Sequence, residues 1–298
     1  MRQRGILGSF LSAVLILGCV PQKTTSVDQV DKEVQVHYKL GIDYIRDGKT
    51  PQAVQELLKA QAKSSDNPDV EHALGLAYQQ KELYGKAIEQ YKKVLALSPE
   101  LTEARNNLGT VYLAQGKVDE AIEQFEACLK DAAYSTPGKA AYNLGVAYHQ
   151  KKNTDKAIEK YKQAATLDDG NVNALYNLAF CYEEKKDYAE ALKAYKQLIE
   201  RDGNFKQAFY RMALIYEEQQ RNEEALQALR KALTIDPDYL EAHFREGLVL
   251  AAMGSVAKAS DKLQMVVRSQ PNGPLGKEAQ EHLDVLKKKS KFKGIPKP

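Results

Sequence analysis

A two-residue signature, a small residue followed three places later by Tyr or Leu, returns along this chain at an almost constant interval. The pairs are Gly41/Tyr44, Gly75/Tyr78, Gly109/Tyr112, Gly145/Tyr148, Ala179/Tyr182, Ala213/Tyr216 and Gly247/Leu250, with steps of 34, 34, 36, 34, 34 and 34 residues. Twelve residues after each small residue stands Ala: Ala53, Ala87, Ala121, Ala157, Ala191, Ala225 and Ala259. Four further on stands a large apolar residue: Leu57, Tyr91, Phe125, Tyr161, Tyr195, Leu229 and Leu263. Agreement in every unit at a fixed period restricts the chain to a repeat architecture. Each unit is too small to bury its own apolar face and must stack on its neighbours.

The units read as helix pairs. Ala, Leu, Glu, Lys and Gln dominate, all good helix formers, and no Val/Ile/Thr run is long enough to argue for a sheet. Gly or Ala on a first helix lets a second helix approach closely, and Tyr or Leu three residues on shares its face. The recurrent Ala marks the crossing on the second helix, and the bulky residue four later fills the groove beside it. Gly48 and Gly116 fall between helices, and Pro99, Pro237 and Pro271 stop second helices.

This pattern resembles the tetratricopeptide repeat over residues 34–273. The position that holds Trp in that family carries His37, Glu71, Arg105, Ala141, Leu175, Phe209 and His243 here. The resemblance implies an all-α, right-handed superhelical solenoid of about seven helix-turn-helix repeats with a concave inner surface. Residues 274–290 read as a polar C-terminal capping helix, and residues 291–298 as a basic disordered tail.

The N-terminus reads as an export signal at residues 1–18. Arg2 and Arg4 form a positive start, and Ile6 to Leu17 an apolar stretch. That stretch is shorter than the roughly 20 apolar residues a spanning helix needs. It ends in Leu15-Ile16-Leu17-Gly18-Cys19, which resembles a bacterial lipobox. The resemblance implies cleavage before Cys19 and acylation of that residue, a stable membrane anchor when several chains are attached. Val20, rather than Asp, follows the Cys; by resemblance to Gram-negative lipoproteins this implies the outer membrane, with the protein facing the periplasm. Residues 19–33 then read as a lipidated N-terminus and polar tether. The remaining cysteines, Cys128 and Cys181, fall two repeats apart and are expected to be separate buried thiols.

The net charge of +3 includes Arg2 and Arg4, so nothing here points to nucleic acid. The five histidines sit on different repeats without Cys or carboxylate at ligand spacing, and no metal or cofactor site is expected. Gly48-Lys49-Thr50 lacks the upstream Gly and preceding strand of a phosphate loop, and no Gly-x-Ser-x-Gly elbow occurs. The chain therefore reads as a binding scaffold and not an enzyme.

In the tetratricopeptide fold the first helices line the inner face. By that resemblance the inward pairs are Tyr38/Ile42, His72/Leu76, Asn106/Thr110, Tyr142/Val146, Tyr176/Phe180, Tyr210/Leu214 and Phe244/Leu248. The last four form an aromatic and aliphatic stripe suited to a protein or peptide with apolar side chains. Repeats that clamp acidic peptide tails place Lys and Asn at these two positions; the second is apolar in six repeats and Thr110 in the other, so that clamp is missing. Asn107, Asn143 and Asn177 lie one turn along and admit either a peptide-binding or a structural role.

The lipobox, the short tether, and the lengthened connection Lys130 to Pro137 before Asn143-Leu144-Gly145 together resemble the type IV pilus pilotin lipoproteins. That resemblance implies a secretin as partner and a role in carrying it to the outer membrane. The alternative is a periplasmic adaptor that organises proteases, cell-wall enzymes or another envelope complex.

Overall fold

The computed structural model describes residues 27–293, and every regular element among them is a helix. The first helices of the seven repeats are α1 (Val27–Arg46), α3 (Pro68–Gln80), α5 (Thr102–Ala114), α7 (Pro137–Gln150), α9 (Val172–Glu184), α11 (Lys206–Glu218) and α13 (Leu240–Ala252). Their second helices are α2 (Thr50–Lys63), α4 (Tyr84–Leu97), α6 (Val118–Lys130), α8 (Thr154–Leu167), α10 (Tyr188–Arg201), α12 (Asn222–Ile235) and α14 (Val256–Ser269); α15 (Pro274–Lys293) follows. Each helix packs on the next in sequence, which makes the array a solenoid. The signal segment and Cys19 lie outside the described residues, and no described helix is long and apolar enough to cross a membrane.

The crossing inside each repeat follows from side-chain size. The bulky residues Leu57, Tyr91, Phe125, Tyr161, Tyr195, Leu229 and Leu263 are buried, as is every one of the seven recurrent alanines. A Cβ added at Gly75, Gly109 or Gly145 would stand 2.6 Å from the ring of Tyr91, Phe125 or Tyr161 respectively. At these three positions glycine lets the ring of the second helix lie where a Cβ would otherwise stand. Ala179 and Ala213 hold the same position in repeats five and six, where they are fully buried.

The turn inside each repeat is equally regular. Seven residues after each small residue the backbone enters the left-handed region, at Gly48, Glu82, Gly116, Lys152, Lys186, Gln220 and Gly254. The next amide donates back to the carbonyl of the recurrent Tyr or Leu, as from Lys49 to Tyr44 at 2.8 Å and from Asn153 to Tyr148 at 2.9 Å. This is the Schellman closure, which satisfies a terminal carbonyl and reverses the chain. Four of the seven units place a non-glycine residue there, at a cost on the order of 1 kcal/mol each.

Pro99, Pro237 and Pro271 stand two residues beyond the ends of α4, α12 and α14, as expected. The lengthened third connection folds Tyr134 inward, where it is buried with Cys128 and Ala140. Cys128 and Cys181 are free, buried and on different helices. The helix α15 buries Ala279, Leu283 and Leu286 on one face against the last repeat. At the opposite end, Val36 and Leu40 of α1 are exposed, although the equivalent Val70 and Leu74 are buried in the next repeat.

Two boundaries differ from the sequence reading. The proposed tether at 19–33 is helical from Val27, because Val30 and Val34 extend the apolar spacing of α1 back by two turns and Val34 is buried. The capping helix runs past 290 to Lys293, so the assigned basic tail is helical over its first three residues.

Gly109→Val is expected to lower unfolding stability by about 1–3 kcal/mol, because the crossing has no room for the branch. Gly85→Ala, whose Cβ meets nothing within 4 Å, is expected to leave stability unchanged or raise it. Urea denaturation of both variants checks the pair. Gln220→Gly is expected to stabilise by about 1 kcal/mol, since it relieves the left-handed strain in the fourth such non-glycine turn.

Candidate peptide-binding face

Neighbouring first helices are tied directly to one another by side chains. Asn107 pairs with His72 at 3.0 Å, Asn143 donates to Asn106 at 3.1 Å, and Asn177 donates to the Tyr142 hydroxyl at 3.2 Å. The three asparagines thus link α3, α5, α7 and α9 in a ladder. Further along, Arg211 meets Glu183 at 3.3 Å, and Arg245 approaches Glu217 at 3.7 Å. Contacts between consecutive first helices, as α1 with α3 and α3 with α5, place those helices on the closer-spaced side of the stack.

The aromatic stripe lies on this side, and its rings rest on neighbours. Tyr142 is half-buried with its centroid 5.9 Å from that of Tyr161. Tyr176 is half-buried between Tyr195 at 5.9 Å and Phe205 at 5.3 Å. Phe180 meets the edge of His149 at 5.9 Å and carries the Arg211 guanidinium 4.6 Å over its face. Tyr210 packs on Tyr239 at 5.3 Å. Val146, Leu214 and Leu248 are half-buried beside them. Rings fixed in this way lose little freedom on binding and are good anchors.

Phe244 departs from the expected stripe. It is 3% exposed, with its ring 5.8 Å from His282 of α15, so the capping helix covers it. The open stripe therefore runs through repeats four to six, with Leu248 as a half-buried margin in the seventh. Sequence reasoning missed Phe205 and Tyr239, which precede α11 and α13 and support Tyr176 and Tyr210. Their signal is an aromatic residue eight places before the small residue in those two repeats.

Beneath the stripe, charged groups are drawn out of water. Glu183 accepts from the Tyr195 hydroxyl at 3.1 Å, and burial raises its pKa despite the opposing pull of Arg211. Burial likewise raises the pKa of Glu217, only partly offset by Arg245. His149 of α7 meets Cys181 and Glu184, three residues apart on α9, with one donor atom of each within 4.8 Å of the others. A cleft of about 740 Å³ lies elsewhere, between α8 and α10. Its walls mix Lys162, Lys193 and Arg201 with Asp169, Glu190 and Glu200, and its lining ring, Tyr182, is covered by the Lys162 ammonium at 5.3 Å.

Tetratricopeptide-repeat family models match residues 38–102, 72–136, 106–172 and 148–215, and a TPR repeat model matches 213–254. The chain is a tetratricopeptide-repeat protein. These matching families are interaction repeats, and none is a catalytic family. No curated protein matches the chain. Among solved structures, the tetratricopeptide chain is similar to PilF of Pseudomonas aeruginosa, with 22% identity over 72% of this chain and 96% of that one, and a TM-score of 0.62. It is similar to YrrB, described as a TPR protein with an unusual peptide-binding site, with 24% identity over 62% and 95% of the two chains and a TM-score of 0.51. It is also similar to MamA, with 27% identity over 56% and 97% and a TM-score of 0.51.

Two outcomes are expected. Phe244→Ala removes a core ring and should cost about 3–5 kcal/mol in chemical denaturation. For Glu217 the folded pKa is raised, so its favourable contribution is present below the ordinary carboxylate range and lost as pH rises through the folded value. Glu217→Gln should therefore raise stability at neutral pH and give no gain near pH 4, as read by melting temperature across that range.

Proposed function

We propose that this tetratricopeptide-repeat chain is a lipid-anchored scaffold that holds an apolar segment of a partner protein against α7, α9 and α11. One observation carries the reading: Tyr142, Val146, Tyr176, Phe180, Tyr210 and Leu214 form a half-open row on three adjacent helices. Supported rings alternating with aliphatic side chains suit the apolar residues of a helix or extended peptide. Tetratricopeptide proteins are interaction scaffolds, and the structure of YrrB is described by its peptide-binding site. Pairing of the asparagines between repeats leaves the aromatic row as the more available binding element.

The anchor in this proposal is Cys19, acylated after cleavage at Leu15-Ile16-Leu17-Gly18, which holds the scaffold on the periplasmic side of the outer membrane. The partner is a secretin subunit, and the role is pilotin-like assistance to its assembly. This finer reading is supported by the lipobox, by the lengthened connection before Asn143-Leu144-Gly145, and by the likeness in fold to PilF.

Phe180→Asp combined with Tyr210→Asp is expected to reduce partner recovery from solubilised membranes by about tenfold or more with helix content unchanged. Loss of helix content by circular dichroism would instead make these residues core. Deleting the protein should leave secretin subunits unassembled. Normal secretin multimers, with proteases or cell-wall hydrolases as the recovered partners, would contradict the pilotin role and favour the envelope adaptor.

A further inference from the structure

The last turns of α7 and α9 carry an arrangement that repeat packing does not require. His149 stands near the end of α7, and Cys181 and Glu184 stand three residues apart on α9, which puts their side chains on one face of that helix. A nitrogen of His149, the sulfur of Cys181 and a carboxylate oxygen of Glu184 all lie within 4.8 Å of one another. The His149 Nε2 is 2.7 Å from Glu184 Oε2. We propose that His149, Cys181 and Glu184 form a binding site for a thiophilic divalent cation of the zinc class, bridging repeats four and five.

The donor chemistry fits that class. Zinc accepts imidazole nitrogen, thiolate sulfur and carboxylate oxygen, and three protein ligands leave a fourth position open. One thiolate and one carboxylate neutralise the two positive charges of the ion, so the filled site carries no net charge. Cys181 is fully buried while His149 and Glu184 are 30% and 40% exposed at their side chains, which gives the ion a route from solvent. Coordination through the thiolate releases one proton from the Cys181 sulfur to solvent. At the equivalent position, five of the six other repeats carry Ala77, Val111, Ala147, Ile215 or Val249, none of which has a donor atom.

The site lies beside the binding stripe. Phe180 directly precedes Cys181, and its ring stands 5.9 Å from that of His149. An ion bridging α7 and α9 fixes the spacing of the two helices that carry Tyr142 and Tyr176. The cation site stands on its own geometry and does not rest on the peptide-binding reading.

Titration of the full chain with cobalt(II) tests it. One ion per chain should produce a thiolate-to-cobalt charge-transfer band, displaced by zinc. The band should vanish in Cys181→Ser and persist in Cys128→Ser. His149→Ala, a change at a partly exposed position, should weaken cobalt affinity by about tenfold or more and abolish any rise in melting temperature caused by zinc. A chain that gives no band, or a band that survives Cys181→Ser, overturns the proposal. An affinity unchanged in His149→Ala overturns it as well.

Discussion

The structure depends on the close crossing of two helices inside each repeat. A glycine or alanine on the first helix leaves a gap, and a tyrosine, phenylalanine or leucine from the second fills it. At Gly109 the ring of Phe125 occupies the space where a Cβ would stand. Burying each such side chain contributes about 1.5–3 kcal/mol. Because a repeat contacts only its neighbours, the gain is collected unit by unit, and the array needs a covered end. Helix α15 covers one end with Ala279, Leu283 and Leu286.

The same geometry creates the surface proposed to bind a partner. Fixed crossings set the position of every first helix, and bonds between first helices set their spacing. Asn143 with Asn106, Asn177 with Tyr142, and Arg211 with Glu183 spend polar groups on this task. What those bonds leave half-open is the row of rings and aliphatic chains on α7, α9 and α11. Tyr176 and Tyr210 are held by Phe205 and Tyr239 from the connections between repeats. The proposed binding face is thus prepared by residues that a partner need not touch.

The repeat period, the crossing residues and the turns were legible because each depends on local spacing repeated seven times. The stripe was legible in outline, since its members recur at one register. Phe244 was misplaced because its burial is decided by His282, a residue outside the repeat. The start of α1 was read late: Val30 and Val34 continue the helical spacing inside a stretch whose composition is otherwise polar. Single sequence positions gave no sign that Asn107 would pair with His72, and none that His149, Cys181 and Glu184 would meet. Those contacts depend on how one repeat is rotated against the next, which periodicity does not encode.

Hydrogen–deuterium exchange on the chain, alone and with its co-purified partner, tests the central claim most directly. The account predicts partner-dependent protection on α7, α9 and α11, with the second helices α8 and α10 unchanged. Protection confined to the charged cleft between α8 and α10 would contradict it.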